Sequence, residues 1–205
     1  MNISFGSKNP ISRTQIYNKQ TQEFEPATLY EYDGRSPDDA EDFALQGGCW
    51  QYKVPMAVAL LEKSKKLSRE SDLSEFEKAL VDGTKVYTLE TEDGDTAAMC
   101  YTKGVCNTAN IQFLEGNPQN IYGLAGQAIL ASIMEQMIKK PDAHLMVLDP
   151  ALSAMDFYKN SCGFEERTTG SHDIEIYEDG MRGFVDKFEQ TSGSLITDIE
   201  TKTEY

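Results

Sequence analysis

One side chain in this sequence is placed to move a proton, and one turn is built to hold a phosphate. Tyr158 stands in the run Ala154-Met155-Asp156-Phe157-Tyr158, four residues after Ala154 and so one turn along the same helix face. Its phenol, with an ordinary pKa of about 10, can act as a general acid at neutral pH. Upstream, Tyr122-Gly123-Leu124-Ala125-Gly126-Gln127 opens directly into an apolar-striped segment. Backbone amides at a helix start lack partners within the helix and carry partial positive charge, so they bind phosphate oxygens. Gly123, Ala125 and Gly126 supply the small, permissive backbone that a close approach needs. Alone, such a turn also serves as a plain strand-to-helix connection, and a tyrosine also serves as packing.

The elements that would position these groups follow from the hydrophobic pattern. Ile111-Gln112-Phe113-Leu114-Glu115 reads as a strand leading into a polar loop and the glycine turn. Ile129, Leu130, Ile133, Met134, Met137 and Ile138 then recur at helical spacing, and the helix ends at Lys139-Lys140 before Pro141. Leu145 to Leu148 reads as a second strand, and Asp149-Pro150 starts a short helix that Gly163 ends. A helix crossing between the two strands implies that they are parallel neighbours.

Elsewhere the chain reads as follows. Residues 1–26 are polar and poorly periodic, which predicts an extension ordered in part at best. Ala27 to Asp33 has strand composition, and Ser36-Pro37-Asp38-Asp39 is a helix start whose helix stops at Gly47-Gly48. Pro55 opens a second helix, and Leu73, Phe76 and Leu80 mark a shorter one closed by Gly83. Lys85 to Thr91 and Thr96 to Lys103 form a hairpin about Glu92-Asp93-Gly94-Asp95 and run on into the Ile111 strand as a meander. Glu165 to Thr168 and Asp173 to Tyr177 read as further strands. Met181, Phe184, Val185 and Phe188 share one face of a last helix. The expected division is an extension over 1–26, one domain over 27–178, and a C-terminal helix and tail over 179–205.

The chain has 205 residues, 34 acidic and 19 basic, and a formal net charge of −15. That excludes nucleic acid and anionic membranes as expected partners, since both want a cationic surface, and it suits a positively charged small substrate. Cys49, Cys100, Cys106 and Cys162 form no C-x-x-C pair, so no metal site is expected. No apolar run has the character of a signal peptide or a bilayer span, so the expected location is cytoplasmic.

From Asn110 to Phe164 the sequence resembles the GNAT superfamily of N-acetyltransferases. The resemblance rests on the strand, glycine loop, helix and strand, then on Ala154-Met155-Asp156-Phe157-Tyr158-Lys159-Asn160-Ser161-Cys162-Gly163-Phe164. It implies an α+β fold: a predominantly antiparallel mixed sheet of about six to seven strands with a central parallel pair, flanked by helices on both faces. It also implies acetyl-CoA as co-substrate, a primary amine as acceptor and direct attack without a covalent enzyme intermediate. The match would make Tyr158 the acid that protonates the departing CoA thiolate and Glu115 a carboxylate base. Leu114 and Gly116 would line the thioester, with a backbone amide available to the oxyanion. The loop of Ile121, Gly123, Leu124, Ala125, Gly126 and Gln127 would hold the pyrophosphate.

Four departures stand out. One register puts Ile121 and Leu124 where the family has Arg or Gln and Gly; the other puts Ala128 at the start of an apolar pair. In neither does a basic side chain reach the loop, so phosphate binding would lean on backbone amides. Ala151 replaces a common asparagine, and the Tyr158-to-Gly163 interval is one residue long. In the family the first helices recognise the acceptor; here they carry Asp38, Asp39, Glu41, Asp42, Trp50 and Tyr52, suited to a cation. The alternative is a GNAT-like module that binds acyl-CoA or a protein partner without catalysis. A homodimer is compatible with either.

Overall fold

The computed structural model describes residues 8–46 and 50–196. Cys49, the Gly47-Gly48 helix stop, residues 1–7 and residues 197–205 lie outside the described residues. The elements are β1 (Lys8–Asn18), β2 (Glu23–Tyr32), α1 (Asp38–Leu45), α2 (Lys53–Leu67), α3 (Glu75–Asp82), β3 (Lys85–Thr91), β4 (Thr96–Val105) and β5 (Thr108–Gly116). They continue with β6 (Tyr122–Gly123), α4 (Ala125–Met137), β7 (His144–Val147), α5 (Leu152–Asp156), β8 (Glu165–Glu166), β9 (Ile174–Tyr177) and α6 (Glu178–Ser192).

The strands form one sheet in the order β6-β1-β2-β3-β4-β5-β7-β9-β8, antiparallel throughout except for β5 and β7. The parallel pair follows from the α4 crossover between them. The sheet has nine strands among the described residues, more than the six to seven expected. The surplus comes from β1 and from the two-residue strand β6, which is too short to carry a period, while β8 keeps only the first two residues of the strand expected over Glu165 to Thr168.

Residues 8–26 are therefore not a loose arm. β1 pairs with β2 from Lys8↔Tyr32 to Asn18↔Glu23. The sequence hid this strand because two of its inward positions are Ser12 and Thr14, buried but polar, so only Ile16 shows as apolar. Ser12 Oγ donates to Ser132 Oγ on α4 at 2.7 Å, which satisfies it in the core. Pro26 is tolerated in β2 because the pairing with β3 begins only at Ala27↔Thr91.

Helices cover both faces. Under α4 and α6 lies the larger core, with Ile16, Leu29, Leu89, Ile129, Leu130, Met134 and Leu145. α4 is buried on nearly every side, which is why its sequence is apolar beyond a single stripe. Met181, Phe184, Val185 and Phe188 of α6 belong to this same core, so the helix expected to stand apart after residue 178 is part of the domain. On the other face α1 and α2 cover Tyr32, Phe43, Trp50, Met56, Val86 and Met99. Among the described residues no helix is long and apolar enough to cross a membrane.

Candidate active site

The central feature is a fork in the sheet. β5 pairs with β7 only from Thr108↔His144 to Ile111↔Val147. It pairs with β4 on its other side as far as Gly116↔Ala98. The register of β4 on β5 slips between Tyr101↔Phe113 and Thr102↔Ile111, leaving Gln112 as a bulge where the two partners part. β7 is turned away by Asp149, at φ 45°, whose N–H donates to Asp173 Oδ1 at 3.0 Å. Among the described residues, one edge of β5 beyond Ile111, through Leu114, Glu115 and Gly116, has no strand beside it. Such an edge offers backbone donors and acceptors to an extended ligand. A Cβ placed on Gly116 would meet nothing within 4 Å, so open space flanks this end.

Tyr158 belongs to the segment that follows α5. Residues Phe157–Ser161 form a single π-helical stretch, and the Cys162 N–H donates to Phe157 O, five residues back. The additional residue between Tyr158 and Gly163 is absorbed there, as π-bulges absorb insertions. Gly163 then takes φ +79°, and the Phe164 N–H donates to Tyr158 O at 3.1 Å. The Tyr158 ring lies edge-on between Phe157 (5.2 Å) and Phe164 (5.4 Å) and is 5 % exposed. Burial pushes its phenol well above the usual range, with Cys100, Cys162 and Tyr52 adding to the effect. The nearby Cys162 thiol is itself pushed up to about 12 by burial.

The glycine turn is tied down from the N-terminal hairpin. Tyr122 and Gly123 pair with Asn18 and Tyr17 of β1, and the Lys19 N–H donates to Ile121 O at 2.9 Å. Tyr122 donates its hydroxyl to Asp95 Oδ2 at 3.0 Å. Leu124 caps α4 in the left-handed region at φ 65°, a conformation that a glycine would adopt more easily. The first helical bond runs from the Ala128 N–H to Leu124 O, so the amides of Ala125, Gly126 and Gln127 precede the helical ladder. Gly126 meets a second requirement: a Cβ there would stand 3.1 Å from Phe157 Cζ.

A basic side chain does reach the turn, although none comes from the motif. Lys19 Nζ donates to Asn120 Oδ1 at 2.6 Å. Sequence reading missed it because the partners are 101 positions apart. Only the pairing of β1 with β6 could have disclosed the contact.

Glu115 is not a loose strand-end carboxylate. Its Oε1 accepts the Gln51 N–H at 2.9 Å and its Oε2 the Tyr52 N–H at 3.0 Å, at the start of α2. A negative charge belongs at that end of a helix. Tyr52 stacks on Phe113 with ring centroids 4.5 Å apart. Trp50 is buried in the α1–α2 core, and Asp39 is fully buried, so both lie beneath the surface on which an acceptor was expected. A cavity of about 550 Å³ lies at the far end of the strands between Lys85, Thr108 and Gln136, away from the fork.

No family model matches the chain, and no curated protein does. Among solved structures it is similar to a GNAT family acetyltransferase from Brucella melitensis in complex with acetyl-CoA. That similarity has 11% identity, TM-score 0.42, and covers 74% of this chain and 87% of that one. A GNAT family acetyltransferase from Staphylococcus aureus is similar at 13% identity and TM-score 0.44, over 74% and 99% of the two chains. The PaiA N-acetyltransferase from Thermoplasma acidophilum, in complex with coenzyme A, is similar at 16% identity and TM-score 0.43, over 73% and 98%. The strand order, the one parallel pair among the described residues, which forks beyond Ile111, and the helices on both faces make this a GNAT-like fold.

Proposed function

We propose that the chain is an acetyl-CoA-dependent N-acetyltransferase that acetylates a primary amine by direct attack. The observation that carries this reading is the fork, which leaves the Leu114–Gly116 edge free with Tyr158 on the segment that follows the outgoing strand. In this reading the pantetheine arm pairs with that edge. The amides of Ala125, Gly126 and Gln127 hold the pyrophosphate, within the Ile121–Gln127 loop.

The acceptor arrives as an ammonium and must lose a proton before its nitrogen can attack. Glu115 is the base: each of its oxygens accepts one backbone hydrogen bond and keeps a second lone pair. The amine nitrogen then bonds to the acetyl carbon, a backbone amide near Leu114 or Gly116 stabilises the oxyanion, and the carbon–sulfur bond breaks. Tyr158 gives its proton to the departing sulfur, and the second proton, shed by the nitrogen as it becomes an amide, restores the phenol. Burial raises the phenol, but it raises a thiolate in the same surroundings too, as Cys162 illustrates, so the leaving group needs an acid there. The cysteines take no part.

One observation favours the second reading, a binding module without turnover: both Glu115 oxygens are already engaged by the α2 entry. Calorimetric titration with acetyl-CoA, followed by CoA release against a panel of amines, separates the two. Binding with release supports the enzyme. Binding alone supports the module, and no binding at millimolar acetyl-CoA ends the enzyme and leaves only a module that binds a protein partner.

A further inference from the structure

α2 is apolar on two opposite faces. Met56, Ala59 and Leu60 face the sheet and are buried there with Phe43 and Trp50. Val54, Val58 and Leu61 recur at intervals of four and three, on the opposite side of the helix from that set. Val54 is 70 % exposed and Val58 48 %. A surface helix needs one apolar stripe to hold it to its own core, so the second stripe has no task within a single chain.

That second stripe lines a groove of about 530 Å³ between α1 and α2. Ala40 and Ala44 of α1 and Ala57 of α2 line it too, and their small side chains leave a trough beside the raised Val54–Val58 ridge. Among the described residues no element of the chain covers it.

Ridge and trough lie side by side, so the surface is complementary to itself. A two-fold axis through the groove sets the ridge of each chain in the trough of the other, as rows of residues four apart pack between helices. The charge also suits a like chain. Two chains of net charge −15 repel, but this groove is lined by one acid, Glu41, and one base, Lys53, on opposite helices. The two-fold brings α1 of each chain against α2 of the other, so Glu41 of one chain approaches Lys53 of the next. The area sets the strength. Helices of 8 and 15 residues rise about 12 and 22 Å and lie about 10 Å apart, which gives a face of roughly 400 Å². A standard interface takes about 800 Å² from each partner, so this one makes a weak, reversible dimer of chains that fold alone.

We propose that the α1–α2 groove is a two-fold interface between two copies of this chain, closed by Val54 and Val58 of each. The interface does not depend on the acyl-transfer reading, and a chain that fails to bind acetyl-CoA still presents it.

The test is sedimentation equilibrium of the full chain with a reductant present, so that the exposed Cys106 cannot cross-link copies. From about 10 µM to about 1 mM the weight-average mass should climb from that of one chain toward that of two, as suits an interface of this size. Val54→Glu and Val58→Glu place a charge on the ridge and should each weaken association about tenfold or more. Val54 stands in the first turn of α2, where an acid favours the helix, so its variant probes the contact without endangering the fold. Phe76→Glu removes an apolar side chain of comparable exposure, 64 %, from α3 outside the groove and should leave association unchanged. A wild type that stays a single chain at about 1 mM overturns the inference, and the groove then serves a different protein or none. A dimer that survives either valine variant lies on another face, and one lost equally in Phe76→Glu is non-specific; each of these results also overturns it.

Discussion

Phe157 lies against Gly126, its Cζ 3.1 Å from where a Cβ on that residue would stand. The start of α4 and the segment bearing Tyr158 are thus in direct contact, so a change at the turn is felt at the phenol next to Phe157. Gly126→Ala gains helix propensity of about 1 kcal/mol and loses a similar amount in displacing the ring, so stability should change little. Turnover should fall several-fold while the fold persists. Thermal unfolding beside steady-state kinetics checks this, and unchanged turnover would show that the contact does not position Tyr158.

Tyr158→Phe removes one hydroxyl from a ring held by Phe157 and Phe164. If it is the acid, kcat should drop about 100-fold or more with acetyl-CoA affinity within twofold of wild type. Because burial raises the phenol, the wild-type protein should show no loss of kcat as pH rises from 7 to 10. A descending limb inside that window would sink the assignment.

Glu115 has two tasks that substitutions can separate. Glu115→Ala abandons the Gln51 and Tyr52 amides and should cost about 1–3 kcal/mol, measured by urea unfolding. Glu115→Gln keeps one acceptor oxygen and should cost less, yet lower kcat about 100-fold or more. If Glu115→Gln turns over like wild type, the carboxylate is an anchor for α2 and the base lies elsewhere.

The whole molecule should weaken in alkali. Tyr32, Tyr87, Tyr158, Cys100 and Cys162 are all raised by burial in the folded chain. Below about pH 8 they are protonated in both states and contribute fully. Above about 8.5 for thiols and about 10 for phenols the unfolded chain loses protons that the folded chain keeps, so stability declines with rising pH. Urea midpoints should fall from pH 7 to 9 as the thiols respond and further by pH 10.5 as the phenols join them, and Cys100→Ala should flatten part of the first fall.

Much of the central architecture was readable because its elements bury one face in a regular period. α4 shows Ile129, Ile133, Met134 and Met137 at helical spacing, and the β3–β4 hairpin is marked by Asp93-Gly94. β1 was not readable because Ser12 and Thr14 point inward, and hydropathy does not distinguish a buried hydroxyl from an exposed one. The long Tyr158-to-Gly163 interval was visible as a count, but a count does not show that a π-helical turn absorbs it. Lys19 at Asn120 and Lys8 at Glu90 are contacts between distant segments, which no local pattern encodes.

The outer edge of β1 has a bearing on the order of assembly. It is closed at Tyr17 and Asn18 by β6, and at Arg13 by Ile196, whose N–H and C=O both bond to it. Both closures come from segments synthesised later. At about 5–20 residues per second, the chain between Tyr17 and Gly123 takes roughly 5–20 s to emerge, and Ile196 follows later still. For that interval a nascent β1–β2 hairpin presents an unpaired edge, the kind of surface to which other chains add. The proposed pyrophosphate loop thus doubles as the first cover of that edge, linking cofactor-site formation to protection from misassembly.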